Sequence, residues 1–121
     1  IISKEPLGPM VRPGDDAWFN VVKWTYFALV AAEEAGVTSK NVEETAVKTD
    51  KTDIKRLLGK DCSFGADIGL TNAWALQIVK HVGNYGEVFE RNVGVETPLK
   101  IARVINALWN KGGLQYAPPI R

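Results

Sequence analysis

The stretch Asp15-Asp-Ala-Trp-Phe-Asn-Val-Val-Lys-Trp-Thr-Tyr-Phe-Ala-Leu-Val-Ala-Ala-Glu-Glu-Ala-Gly36 reads as one long helix. Asp15 or Asp16 is suited to cap its start, accepting a hydrogen bond from an orphan N–H and favouring the positive end of the helix dipole. Gly36 supplies the left-handed stop that residues with a Cβ avoid. Trp18, Val21, Val22, Thr25, Leu29 and Ala32 follow the spacing of one helical face, and Trp24, Phe27, Ala28 and Ala31 form a second. Only Thr25 and the Tyr26 hydroxyl are polar between Trp24 and Ala32, so the middle is apolar nearly all round and belongs inside something. Full burial of Trp18, Phe19, Trp24, Phe27 and Leu29 would contribute about 1.5–3 kcal/mol each.

Before this helix, Ile1 to Gly14 holds Pro6, Pro9 and Pro13 together with Gly8 and Gly14. Proline lacks the N–H that helices and central strands need, so this is extended chain, with a short strand expected around Leu7–Arg12. The Arg12-Pro-Gly-Asp15 turn then delivers the helix. An extended lead-in feeding an apolar helix resembles one β–α step of a larger sheet whose other strands are absent.

After Gly36 the periodicity weakens. Asn41 with Glu44 reads as a capping pair for a short helix to Lys48, and Asp53 to Gly59 as two helical turns. Lys60 to Leu70 reads as a packed loop. Thr71 is expected to cap a helix over Asn72–Val82 with Trp74, Ala75, Ile78 and Val82 on one face. A short helix follows from Glu87 to Asn92. Thr97-Pro98 pairs a capping hydroxyl with proline at the first helical position, predicting a helix to Asn110 that buries Ile101, Val104, Ile105, Leu108 and Trp109. Leu114 to Arg121 reads as an extended tail.

The 121 residues suit one domain or part of one. Fifteen basic against fourteen acidic residues leave a net charge of +1, which argues against a nucleic-acid partner. Cys62 is the single cysteine, so no intrachain disulfide forms and no redox compartment is implied. No run of roughly 20 apolar residues is present to cross a bilayer as a helix. The opening Ile-Ile-Ser-Lys, without initiator Met or signal-like segment, leads to the expectation of a mature chain or a piece of a longer one.

Residues that carry chemistry elsewhere fall here into structural roles. His81, the single histidine, has Gln77 and Tyr85 rather than metal ligands at helical spacing. Cys62 lies between Asp61 and Ser63, with no adjacent cation to stabilise a thiolate. The neighbouring acids Glu33-Glu34 and Glu43-Glu44 point about 100° apart on a helix and read as solvated faces. Glu87 and Arg91 stand at the spacing of a surface ion pair. Gly83-Asn-Tyr-Gly86 lacks the remaining elements of a phosphate loop. Trp18 and Trp24 read as core. No catalytic residue, metal site or cofactor is expected, and the chain reads as a non-enzyme.

Several ordered stretches resemble one family: Lys4-Glu-Pro-Leu-Gly-Pro-Met-Val-Arg12, Gly14-Asp-Asp-Ala-Trp18 with Val22-Lys-Trp24, Ala32-Glu-Glu-Ala-Gly36 and Arg56-Leu-Leu-Gly59. They continue with Val82-Gly-Asn-Tyr-Gly-Glu-Val-Phe-Glu-Arg-Asn-Val-Gly94, Asn106-Ala-Leu-Trp109 and Gly112-Gly-Leu-Gln-Tyr-Ala-Pro-Pro119. Together they resemble the C-terminal third of the periplasmic substrate-binding component of general L-amino-acid ABC transporters, the glutamate/glutamine/aspartate/asparagine type included. Thr52-Asp-Ile54 and Lys60-Asp-Cys-Ser-Phe64 depart locally from that pattern.

The resemblance implies a two-lobed α/β protein that closes on a free L-amino acid and delivers it to membrane permease subunits. Within it, this piece is mostly α with an extended or single-strand N-terminal segment. Residues 1–36 are then the returning strand and long helix of the first lobe, and residues 37–121 a helical C-terminal extension. The ligand-binding residues are expected upstream, with Ser3, Lys4, Glu5 and Pro6 as hinge-adjacent candidates, and the location is periplasmic. Isolated from its sheet, the long helix leaves an apolar patch from which self-association is an expectation. The alternative is a free-standing helical protein–protein interaction module with an aromatic groove.

Overall fold

The computed structural model describes residues 7–120. Among these residues six α-helices occur in chain order: α1 (Asp16–Glu34), α2 (Val42–Lys48), α3 (Thr52–Leu57), α4 (Phe64–Asp67), α5 (Trp74–Val82) and α6 (Tyr85–Val93). Two 3-10 turns, Val104–Asn106 and Trp109–Lys111, follow. No strand forms among the described residues. The nearest approach is a single parallel bridge between Leu108 and Gln115. Residues 7–12 carry no regular structure, so the short strand expected there does not form within the described chain.

The ends of α1 follow from local chemistry. Asp15 caps it, its Oδ1 accepting from the Trp18 N–H at 3.0 Å. At the far end Gly36 adopts φ +70°, letting the Val37 N–H reach back to the Ala32 carbonyl at 2.8 Å and its own N–H to that of Glu33 at 3.0 Å. These two reverse bonds satisfy the orphan carbonyls of the last turn and turn the chain into α2.

Two apolar clusters form on different faces of α1. Ala28 and Ala32 join Val37, Val42, Ala46, Ile54, Leu57, Leu58, Trp74, Ala75, Val79 and Ile120, with Trp24 and Phe64 packed edge-to-face at 4.6 Å against that group. Val30 joins Leu108 and Ala117, flanked by Tyr26, Phe27 and Tyr85. The face predicted from Trp24, Phe27, Ala28 and Ala31 is thus inside the molecule.

The opposite face differs from expectation. Trp18 is 55% and Phe19 46% exposed, while Val21, Val22 and Leu29 are half-buried and belong to neither cluster. Neither apolar cluster reaches the amino-terminal half of α1 on that side.

The helix expected from Thr97 to Asn110 is replaced by a loop. Thr97 supports only one turn, accepting from the Leu99 N–H at 3.3 Å, and the chain then enters the left-handed region at Lys100 (φ 49°) and Val104 (φ 39°). Backbone groups that a helix would use internally are taken by distant partners. The Ile101 N–H donates to the Val93 carbonyl, Leu114 to Ile105, Gln115 to Ala107 and Trp109 to Gln115. Ile101, Val104 and Ile105 are β-branched and hold a helix weakly, so these partners prevail. Of the five side chains expected inside, only Leu108 is buried.

Candidate functional site

Three arrangements bring polar chemistry together. The first joins α1 to the loop that replaces the missing helix. Arg103 Nη2 donates to Glu33 Oε2 at 2.9 Å, and the same guanidinium donates to the Asn106 carbonyl at 3.0–3.1 Å. Tyr85 and Phe89 of α6 lie against it, with ring centres 5.2 and 5.3 Å from its carbon. Glu33 is therefore no solvated side chain, because the fold of residues 100–106 brings a cation over it. Glycine at 86 leaves room for this packing: a Cβ there would sit 2.9 Å from Arg103 Nη1 and 3.0 Å from Glu33 Cδ, so those side-chain ends would have to shift.

The second arrangement is centred on Glu87. Its carboxylate accepts from the Ser39 hydroxyl at 2.6 Å, the Ser39 N–H at 3.0 Å and the Asn84 N–H at 2.8 Å. Asn84 in turn caps α6 by accepting from the Glu87 N–H at 3.0 Å, completing a reciprocal box, and its amide donates to the Val37 carbonyl at 2.8 Å. Burial pushes the Glu87 carboxyl up, but the Ser39 hydroxyl, the Asn84 and Ser39 N–H groups and the Arg91 charge together hold it below its ordinary value. The surface pair expected between Glu87 and Arg91 does not close. Glu87 is occupied by Ser39 and Asn84, and Arg91 donates to the Val82 carbonyl at 3.0 Å instead.

The third consists of surface depressions. A cleft of 620 Å³ runs between the end of α1, α3 and the tail, with Glu34, Lys51, Trp109 and Tyr116 on its walls. The Trp109 Nε1–H donates to Glu34 at 3.1 Å, and the Trp109 ring meets Tyr116 edge-on at 6.4 Å. A smaller groove of 280 Å³ lies along the exposed half of α1, lined by Pro9, Val11, Phe19, Val22, Lys23, Tyr26 and Phe27.

Tyr26 sits between the groove and the second cluster, its hydroxyl bonded to the Gln115 side chain and its ring edge-on to Tyr85 at 5.8 Å. Burial raises the pKa of both tyrosines. The neighbouring Tyr85 adds to the rise at Tyr26, and Arg103 partly offsets it at Tyr85.

The hinge-adjacent candidates Ser3, Lys4, Glu5 and Pro6 lie outside the described residues. His81 is exposed and Cys62 half-buried, its Sγ accepting from the Phe64 N–H at 3.3 Å. Glu43 and Glu44 are exposed and pair with Lys80 and Lys48 at 2.6 Å. No group of His, Cys, Asp or Glu side chains suited to a metal ion occurs among the described residues. Nor is any described helix long and apolar enough to cross a membrane. The acids that converge are consumed by structural bonds, so what this surface offers is apolar area rather than reactive groups.

The Glu33–Arg103 tie was invisible to local periodicity because its partners are 70 residues apart. The box at Asn84 and Glu87 did have a signal, the Asn-x-x-Glu pattern before a helix.

No family model matches the chain. Along its full length the chain is 62% identical to the general L-amino acid-binding periplasmic protein AapJ of Rhizobium johnstonii. It is 54% identical to the glutamate/glutamine/aspartate/asparagine-binding protein BztA of Rhodobacter capsulatus. In both cases it spans 36% of the relative's length. A solved structure, an ABC transporter/periplasmic binding protein from Brucella ovis with glutathione bound, superposes with a TM-score of 0.95 at 59% identity. That match covers all of this chain and 38% of the solved one.

Proposed function

We propose, from the premise that this chain belongs with the periplasmic amino-acid-binding proteins of ABC transporters, that it forms the C-terminal part of such a protein. The complete polypeptide captures free L-amino acids in the periplasm and delivers them to the membrane subunits of its transporter. The carrying observation is the 62% identity to an L-amino-acid-binding protein that extends over every part of this chain.

In this reading residues 1–36 return from the second lobe of a two-lobed α/β protein and lay α1 on the sheet of the first. The exposed Trp18 and Phe19 rings, with Val21, Val22 and Leu29 outside both clusters, support that placement, since such a face gains from an apolar partner. Residues 37–121 then wrap the opposite face of α1. The ligand contacts lie upstream, with Ser3, Lys4, Glu5 and Pro6 next to the hinge, and the chain performs no catalysis. The relatives are named for binding, and the convergent acids here are engaged in structural bonds.

The ligand class follows from what the relatives' names share. Free amino acids and glutathione both carry an α-amino group beside an α-carboxylate, glutathione through its glutamyl end. Calorimetry on the complete polypeptide with glutamate, glutamine, a basic amino acid and glutathione tests this. Saturable binding of at least one of these supports the reading, and no heat with any of them contradicts it.

A further inference from the structure

We propose that the loop from Leu99 to Ile105 is an intramolecular docking surface, covered in the complete polypeptide by the part of the protein that precedes this chain. The inference rests on the reading of the chain as one part of a longer binding protein. Leu99 is 62%, Ile101 43%, Val104 71% and Ile105 51% exposed, so four aliphatic side chains stand in water on one seven-residue loop. Single exposed aliphatics are ordinary, but four within seven residues are the composition of a surface that meets something.

The loop is not free to relax and tuck these side chains away. Val104, a β-branched residue, is held at φ 39° and Lys100 at φ 49°, both in the left-handed region that such residues avoid. What holds them is rigid. The Ile101 N–H is bonded to the Val93 carbonyl at 3.0 Å, and Arg103 is locked by Glu33, the Asn106 carbonyl and the rings of Tyr85 and Phe89. A strained backbone persists where the surrounding structure over-determines it, and such strain collects at sites that bind or clamp.

The occupant follows from the chain's place in its relatives. The solved binding protein matches the whole of this chain, which makes up 38% of it, so more than half of such a polypeptide lies outside these residues and is available to cover the loop. The loop's charges do not favour a charged external partner. Lys100 and Arg103 are its charged residues, and Arg103 is already paired with Glu33.

The test introduces a charge where burial is expected. Ile105→Asp should lower the melting temperature of the complete polypeptide by on the order of 5 °C or more, and that of the 121-residue chain by less than about 1 °C. As a second readout, Val104→Cys in a Cys62→Ser background should react with a maleimide at least about tenfold more slowly in the complete polypeptide than in this chain. Equal reactivity in the two, with amino-acid binding intact, overturns the docking surface while leaving the proposed function standing. Protection of the 121-residue chain that grows with its own concentration assigns the loop to a second copy and also overturns it. Absence of any amino-acid binding by the complete polypeptide strikes the underlying reading instead, and the inference with it.

Discussion

Arg103 and Glu33, 70 residues apart in sequence, meet at 2.9 Å with side chains only 18% and 11% exposed. This contact fixes the long loop after α6 against the carboxyl end of α1. It also sets the position of Tyr85 and Phe89 around the guanidinium. A mostly buried pair has little net worth against an apolar replacement, but breaking it from one side strands a charge.

Arg103→Ala should therefore destabilise the chain by about 2–4 kcal/mol in urea unfolding, somewhat below the full range for removing one partner of a buried pair. The double variant Arg103→Met with Glu33→Gln should lose clearly less than Arg103→Ala alone. Equal losses in the two would show that the charge left behind is not the cause.

Gly86→Ala has a cost that depends on Arg103. In the native background the new Cβ meets Arg103 Nη1 at 2.9 Å and Glu33 Cδ at 3.0 Å, so the substitution should destabilise. With Arg103→Ala already present the nearer obstruction is gone and the Glu33 side chain, freed of its partner, can turn aside, so the cost of Gly86→Ala should shrink or become a gain. A double-mutant cycle with no coupling between the two positions would contradict this geometry.

Glu87 gives the chain an acid-sensitive tie between α6 and the loop after α1. Its folded-state pKa lies below the ordinary 4.5, so its contribution is present above that value and is lost as pH falls through the lower folded value. Unfolding followed below about pH 4.5 should show stability declining more steeply in the native chain than in Glu87→Gln. Parallel pH profiles would remove Glu87 from that role.

Sequence pattern revealed those parts of the fold that are settled within a turn or two of chain. The period of Trp24, Phe27, Ala28 and Ala31 located the inner face of α1, and Gly36 its end, because both depend on neighbours three to five residues away. The same Asn-x-x-Glu pattern occurs at 41–44 and 84–87, yet only the second forms the reciprocal box. Asn41 instead turns back, accepting from the Thr38 N–H and donating to the Gly36 carbonyl. Thr97-Pro98 carried a strong helix-start signal that lost to hydrogen bonds accepted by the Val93 carbonyl and exchanged with residues 113–115, partners no local window contains. The same limit applies to the ligand site, whose expected residues lie at or before the first few positions.

The exposed side of α1 should behave as surface in this chain and as interior in the complete protein. Trp18→Ser and Phe19→Ser should each change the stability of the 121 residues by less than about 1 kcal/mol, since both rings are half exposed. In the complete polypeptide each should cost about 3 kcal/mol or more if the ring is packed on the sheet. Equal and small effects in both would detach α1 from the proposed sheet.

The central claim is that this chain supports an amino-acid site built elsewhere in the same polypeptide. Isothermal calorimetry with glutamate, glutamine and a basic amino acid, run side by side on the 121-residue chain and the complete polypeptide, tests it most directly. The expected result is saturable binding by the complete polypeptide and none by the 121 residues. Tight, saturable binding by the 121 residues alone would place the site within this chain and contradict the account.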